Sequence, residues 1–364
     1  MSDPRLIVIG PLPPPYHGVT VSTSLVLSNA QLRERFSVEH LDTSDHRVNS
    51  NVGTWDFTNI RLAVTSVVTL ARRLRGAPGI VYLPLSQNVP GFVRDALFIH
   101  VARARGWRVA VHLRGSDFRT FYRARPSYFR RWIRTALRQL DSVAVMGSSL
   151  RWVFEGLVPS ERIEVVANGT PDQGLNGIPR EPETVLFLSN LRRRKGLAEA
   201  VQAALIVLEQ QPSARFLFVG EWESSELEQE MRVRAAAAGP RIEFLEALSG
   251  EAKDRLLASS SILLFPPVEP EGHPRVVLEG LAAGIPIVTT DRGAIAETVV
   301  DGQSGFILRD PVPGELAERL LQLLRDSDLR KQMGEAARLR YLEWFTQHEA
   351  DRRFADWLSR LGDS

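Results

Sequence analysis

Short apolar runs punctuate the chain, each closed by glycine, proline or polar residues and followed by a longer stretch in which apolar and charged positions mix. The short runs read as buried strands and the longer stretches as helices. In the first half the strand readings are RLIVIG (5–10), residues 37–41, IVYLPL (80–85), VAVHL (109–113), SVAVMGSS (142–149) and RIEVVANGT (162–170). In the second they are TVLFLS (184–189), ARFLFVGE (214–221), RIEFLEAL (241–248), SILLFPP (261–267) and IPIVTT (285–290). Helices are expected after Gly18, up to about Arg75, across 119–138, after Lys195-Gly196, over 275–283, and in two stretches beyond Gly305, the last at 346–361. Strand, loop, helix and strand make βαβ units, so the fold class is α/β. The loop after each strand lies at the sheet edge where open α/β sheets bind ligands.

A chain of 364 residues is long enough for about two domains, each with its own core. The polar, Gly/Pro-rich run at 171–183 reads as the linker between them. Apolar residues at 44% and charged residues at 24% describe an ordinary globular protein. Cysteine is absent, which excludes disulfides and thiolate metal sites. The apolar runs are too short to span a bilayer, and LIVIG (6–10) is too short for a signal-peptide core, so a cytoplasmic protein is expected. Lysine occurs only at Lys195, Lys253 and Lys331 among 45 Lys and Arg residues. Each lysine is therefore a point of interest, because a compact ammonium and a planar guanidinium are not equivalent.

The stretch 264–306 is the most informative. A strand ends in prolines, a loop delivers Glu271, Pro274 suits a first helical turn, and the helix that carries Glu279 stops at Gly284. Were the interval between the two glutamates helical, it would span about 12 Å at ~1.5 Å per residue. A hydrolase pair needs roughly 5 to 9.5 Å. The spacing suits one extended ligand along a helix N-terminus, with a carboxylate at each end and a phosphate on the free amides between. A nucleoside diphosphate sugar has that shape.

Glu271, Gly272, Glu279, Ala283-Gly284, Pro286, Asp291, Gly293, Glu297 and Asp301-Gly302 with Gly305 together resemble the donor-binding segment of family 4 retaining glycosyltransferases, also called glycosyl transferases group 1. The resemblance implies a GT-B fold: two Rossmann-like doubly wound parallel-sheet domains facing a central cleft. Residues 1–170 would form the acceptor-side domain and 184–345 the donor-binding domain, and a helix in 346–364 would cross back to the first. The implied reaction moves a sugar from a UDP- or GDP-sugar to an acceptor hydroxyl with retention, in polysaccharide, glycolipid or glycoconjugate assembly. It implies neither cofactor nor metal. A nucleotide-sugar epimerase of the same fold and a non-catalytic sugar-nucleotide-binding protein are the alternatives.

Carried residue by residue, the resemblance sets Glu271 on the transferred sugar and Glu279 on the ribose diol. Lys195 would clamp the diphosphate together with Arg192 or Arg194. The segment Gly272, His273, Pro274, Arg275 and Val276 would supply amides to it, and Leu245 a backbone contact to the base. Gly18 is the carried glycine of a Pro-rich turn against the diphosphate, with His17 where the family has a first glycine. Arg114 stands where a sugar-facing histidine is expected, and His112, two residues earlier, points to the same side of the strand. Either fits that role. The loop 42–58 is where acceptor contacts are expected.

From Arg119 to Arg138 the chain is rich in arginine and free of acidic residues, interleaved with Phe121, Tyr122, Tyr128, Phe129 and Trp132. This composition fits an amphipathic helix on an anionic membrane surface, at the inner face of the membrane, or a solvated face over core aromatics. It would also fit nucleic acid, a partner the donor motif argues against. The expected partners are the nucleotide sugar, a sugar, lipid-linked or other hydroxyl acceptor, and the membrane surface.

Overall fold

The computed structural model describes residues 3–14, 18–44, 57–174 and 178–363. The chain divides into two compact units, Met1–Ala167 with Ala350–Ser364, and Asn168–Glu349.

The first unit runs β1 (Arg5–Gly10), α1 (Gly18–Ser28), α2 (Ala30–Arg35), β2 (Ser37–Asp42), α3 (Phe57–Arg73), β3 (Ile80–Pro84) and α4 (Val89–Ala104). It continues through β4 (Arg108–His112), α5 (Phe118–Arg123), α6 (Ser127–Leu137), β5 (Ser142–Val145) and β6 (Ile163–Val165). All strands pair in parallel, in the order β2-β1-β3-β4-β5-β6. The continuous apolar runs follow from this, since a parallel sheet is covered on both faces. The last helix of the chain, 347–363, belongs to this unit from Ala350 onward. Its Phe354, Trp357 and Leu358 pack with Leu6, Val8, Tyr82 and Ala110 of the strands. Tyr82 meets Phe354 and Trp357 edge-on at 5.0 and 6.0 Å between ring centroids, and the Trp357 indole N–H donates to Ser142 Oγ at 2.9 Å. Burying each such side chain is worth about 1.5–3 kcal/mol, enough to fix the helix as part of this core.

The second unit runs β7 (Thr184–Leu188), α7 (Leu197–Gln210), β8 (Arg215–Val219), α8 (Ser225–Ala235), β9 (Ile242–Leu245), α9 (Gly250–Ser259), β10 (Ile262–Phe265) and α10 (Arg275–Ala283). Then come β11 (Ile287–Thr290), α11 (Ile295–Thr298), β12 (Gly305–Leu308), α12 (Pro313–Arg325) and α13 (Ser327–Trp344), before the final helix, α14 (Gln347–Asp363). Its parallel sheet has the order β12-β11-β10-β7-β8-β9. Phe187, Phe216, Phe218, Leu264 and Val288 of the strands face Leu197, Val201 and Ala204 of α7 and Leu316 and Leu320 of α12 across one core. Both units are doubly wound α/β sheets.

Several expectations are corrected. Three helices, not two, follow Gly305, and β12 is a strand that only its pairing with β11 reveals. Residues 119–138 form two helices broken at Pro126, which cannot continue α5. Pro274 stands at the N-cap of α10, one position before the helix.

Residues 168–349 fall in one unit, where Asp172 pairs with Arg338 and the Arg180 guanidinium donates to the Ala283 carbonyl at 2.8 Å. Hydrogen bonding from Arg338 holds the Asp172 carboxyl below the usual carboxylate range.

Candidate functional site

In the second sheet β7 and β10 are neighbours, yet the chain leaves β7 toward β8 on one side and leaves β10 toward β11 on the other. The carboxyl ends of β7 and β10 therefore flank a topological switch point, where helices depart to opposite faces and leave a crevice. Lys195 follows β7 and Glu271 follows β10. Lys195 Nζ lies 2.7 Å from Glu271 Oε1, with side chains 21% and 11% exposed. The ammonium also stands 5.6 Å from the Phe265 ring centroid. Gly196, at φ 76°, makes this approach possible: a Cβ there would sit 1.9 Å from the Pro266 carbonyl oxygen.

The loop 266–272 is held from both sides. From the β7 side, the Arg194 carbonyl accepts from Val268 N–H at 3.0 Å. From the β11 side, Thr289 and Thr290 hydroxyls donate to the Phe265 and Pro267 carbonyls, both at 2.6 Å, and Arg292 Nε donates to Val268 at 2.8 Å. Gly293 packs so closely that a Cβ would fall 1.6 Å from the Glu271 carbonyl oxygen, and Ala294 N–H donates to Gly272 at 3.1 Å. The Asp-x-Gly run after β11 is thus a backbone clamp on the loop that bears Glu271. The backbone that carries this carboxylate is thus held in place on both sides.

Among the described residues no side chain caps the start of α10. A helix N-terminus carries the positive end of the dipole, a natural seat for an anion. Further along the same helix, Glu279 Oε1 meets Lys253 Nζ of α9 at 2.7 Å. Sequence reading singled out Lys253 for its rarity alone; a contact between two helices leaves no trace in local spacing.

Arg192 is exposed, and Arg194 pairs with Glu269 at 3.4 Å, while the intervening Arg193 is engaged by Glu230. Leu245 ends β9, and its carbonyl accepts from Gly220 N–H at 3.3 Å. The His273 side chain turns inward, at 5% exposure. Its Nδ1 accepts from Asn168 N–H at 3.0 Å, and Nε2 lies 2.9 Å from Thr298 Oγ1, whose proton goes to the Ala294 carbonyl at 2.7 Å. These partners place the ring proton on Nε2. What His273 offers near the α10 start is its backbone, since the ring is occupied in holding Asn168.

In the first unit, Gly18 is the first residue of α1, with open space where a Cβ would stand. His17 and most of the loop 42–58 lie outside the described residues. Arg114 is half-buried and donates to the Tyr82 hydroxyl at 3.1 Å. His112 is fully buried, its ring stacked 6.3 Å from Phe354 and edge-on to Trp357 at 5.9 Å. Burial pushes its pKa well below the usual 6.5, the Arg114 charge adds to this, and the Val166 backbone opposes it weakly. Along the basic segment Phe118, Phe121 and Tyr122 are buried, and Trp132 lies edge-on to Phe92 at 5.6 Å, so much of its aromatic content is core. Tyr128 is 75% exposed, and Arg123, Arg131 and Arg134 face solvent.

Among the described residues no group of three or more His, Cys, Asp or Glu side chains could hold a metal ion. The Asp-x-Asp run at Asp326-Ser327-Asp328 opens α13, where the Asp326 carboxylate caps Leu329 N–H at 2.8 Å. No described helix is long and apolar enough to cross a membrane.

Residues 172–340 match the family described as glycosyl transferases group 1. The chain is similar to spore coat protein SA of Bacillus subtilis, 28% identical over 194 residues, which are 52% of this chain and 49% of that protein. It is also similar to the phosphatidyl-myo-inositol mannosyltransferase of Mycobacterium leprae, 29% identical over 199 residues, 53% of this chain and 52% of that protein. The chain thus spans about half the length of these relatives. In three dimensions it resembles Anabaena HepE in complex with UDP and glucose, with a TM-score of 0.73 at 17% identity, over 98% of this chain and 100% of that one. The second unit thus matches the glycosyl transferases group 1 model over residues 172–340, and the two doubly wound parallel sheets give the chain the GT-B fold.

Proposed function

We propose that the chain is a retaining glycosyltransferase that moves a sugar from a UDP- or GDP-sugar to an acceptor hydroxyl. The observation that carries this reading is the Lys195–Glu271 pair at the switch point of the second sheet, beside the start of α10 and with Glu279 further along that helix. That order of groups suits sugar, diphosphate and ribose in turn. Similarity to a protein solved with UDP and glucose, and to a phosphatidyl-myo-inositol mannosyltransferase, supports a nucleotide donor and a lipid-borne acceptor.

In the reaction the bond from the anomeric carbon to the diphosphate oxygen breaks, and the acceptor oxygen bonds to that carbon on the same face. The acceptor proton passes to a phosphate oxygen of the leaving group. Negative charge grows on the diphosphate, so the groups that matter are those fixed beside it: Lys195, Arg192 or Arg194, and the α10 amides. Glu271, once Lys195 turns to the phosphate, is left to accept from sugar hydroxyls. This chemistry needs no cofactor, and the positive groups named take the role a metal would otherwise fill. The work is done on the cytoplasmic side, at the membrane face where a lipid-borne acceptor lies.

The test is a thermal-shift screen of UDP-, GDP- and ADP-sugars, in which a ligand at 100 times its Kd stabilises by about 2.7 kcal/mol. It is followed by assay of nucleoside diphosphate release with sugar and lipid acceptors in the presence of EDTA. Transfer that survives EDTA and gives the donor's anomeric configuration supports the reading. A donor bound but never cleaved points to a binding protein, and a changed sugar without acceptor points to an epimerase.

A further inference from the structure

Each of the two glutamates assigned to the donor is held by a lysine, in a chain where lysine supplies only three of 45 basic side chains. Lys253 Nζ lies 2.7 Å from Glu279 Oε1 and 3.6 Å from Asp254 Oδ1, and the three side chains are 23, 19 and 14% exposed. Among the described residues Glu279 is engaged at Oε1, by Lys253, and its Oε2 has no hydrogen-bond partner. The choice of lysine has a physical consequence. An arginine fork grips both oxygens of a carboxylate, whereas an ammonium takes one and leaves the other open.

We propose that Lys253 is the positioning residue that makes Glu279 selective for ribose: by holding Oε1 it presents Oε2 to the cis-diol of a ribonucleoside diphosphate. The proposal rests on the reading of Glu279 as the ribose ligand. Without the ammonium, Glu279 would stand beside the Asp254 carboxylate, and repulsion would turn it toward solvent. With arginine in place of lysine, Oε2 would be occupied and the diol refused.

The experiment compares binding of UDP with 2′-deoxy-UDP and of GDP with 2′-deoxy-GDP by calorimetry. It uses wild type, Lys253→Met, Lys253→Arg and Glu279→Gln, each checked for an unchanged melting profile without nucleotide. A hydrogen bond to a charged acceptor predicts that wild type prefers the ribonucleotide by about 10- to 100-fold. Glu279→Gln should lower that preference. Lys253→Met should bring it to within about threefold while barely changing affinity for the 2′-deoxy nucleotide, and Lys253→Arg should do the same although it keeps the charge. A purely structural lysine would instead weaken both nucleotides equally. If Glu279→Gln flattens the preference and neither Lys253 variant does, the proposal is wrong and the ribose reading stands. If wild type binds none of the four nucleotides, or Glu279→Gln leaves the preference intact, the ribose reading fails and takes the proposal with it.

Discussion

His112 gives the most quantitative test of the first unit. The ring is fully buried against Phe354 and Trp357 of α14, and burial is the main reason its pKa lies well below 6.5. The native state therefore keeps the imidazole neutral where the unfolded chain takes up a proton. A group with a depressed native pKa contributes stability that is complete above the unfolded value and is lost as pH falls below it. At pH 5.5 an unfolded imidazole of pKa about 6.5 is roughly nine-tenths protonated, and the lost stability approaches ~1.4 kcal/mol if the native ring stays neutral. His112→Phe preserves an aromatic ring between the same neighbours and removes the titration. Amide hydrogen exchange of β3, β4 and β5, corrected for intrinsic rates, reads the stability of this unit separately from the second. Between pH 7.5 and 5.5 the wild type should lose about 1.4 kcal/mol more than His112→Phe. Equal pH dependence in the two proteins would refute the buried neutral ring. The same variant addresses function: a ring with no exposed atom should leave turnover within a few-fold at pH 7.5. A fall on the order of a hundredfold, with stability intact, would place the ring at the reacting sugar after all.

At the second unit, Lys195→Ala should cut turnover by a hundredfold or more, about 3 kcal/mol of lost charge stabilisation, and should also weaken nucleoside diphosphate binding. Glu271→Gln should reduce turnover more than nucleotide affinity; identical behaviour of the two variants in steady-state kinetics and calorimetry would reverse the proposed order of ligand parts. For the membrane surface, the protein should sediment with anionic vesicles at low salt and be released as salt rises, since each arginine near the surface is worth about 1 kcal/mol. Replacing Arg123, Arg130, Arg131 and Arg134 by glutamine should abolish sedimentation and leave donor binding intact, and a wild type that ignores such vesicles would favour a soluble acceptor.

What the sequence reveals is what local physics decides. A strand buried on both faces must be apolar throughout, so β1, β3, β7 and β10 announce themselves. α10 is legible to the residue because a proline precedes it and Gly284 follows. β12 is not legible: GFIL is too short to signal a strand, and it becomes one by pairing with β11. The Glu271 and Glu279 positions emerge from the ordered motif, and the resemblance sets Lys195 at the same ligand, but Lys253 arrives from α9, an element that sequence does not place beside Glu279. His112 shows the limit most plainly. Alternation along β4 fixes which side of the sheet a side chain takes, and says nothing of whether a helix from the far end of the chain covers that side. α14 does cover it, and the ring that alternation left as a candidate ligand is packed against Phe354.

The same reasoning sharpens the membrane proposal. Composition marks one face of residues 119–138 as apolar, yet Phe118 packs on Phe154 and Phe92, Phe121 packs on Phe92, and Trp132 meets Phe92 edge-on. Those rings are already used by the core and cannot insert into lipid. Arg134 is also partly engaged, through Nε to the Tyr122 hydroxyl at 2.7 Å. What remains for a bilayer is Tyr128 and the exposed arginines. One tyrosine gives little apolar insertion, so any attachment through this segment must be electrostatic in the main. It should therefore vanish once salt shortens the screening length to about 3 Å, near 1 M. Binding that persisted at that salt would have to come from another surface of the protein.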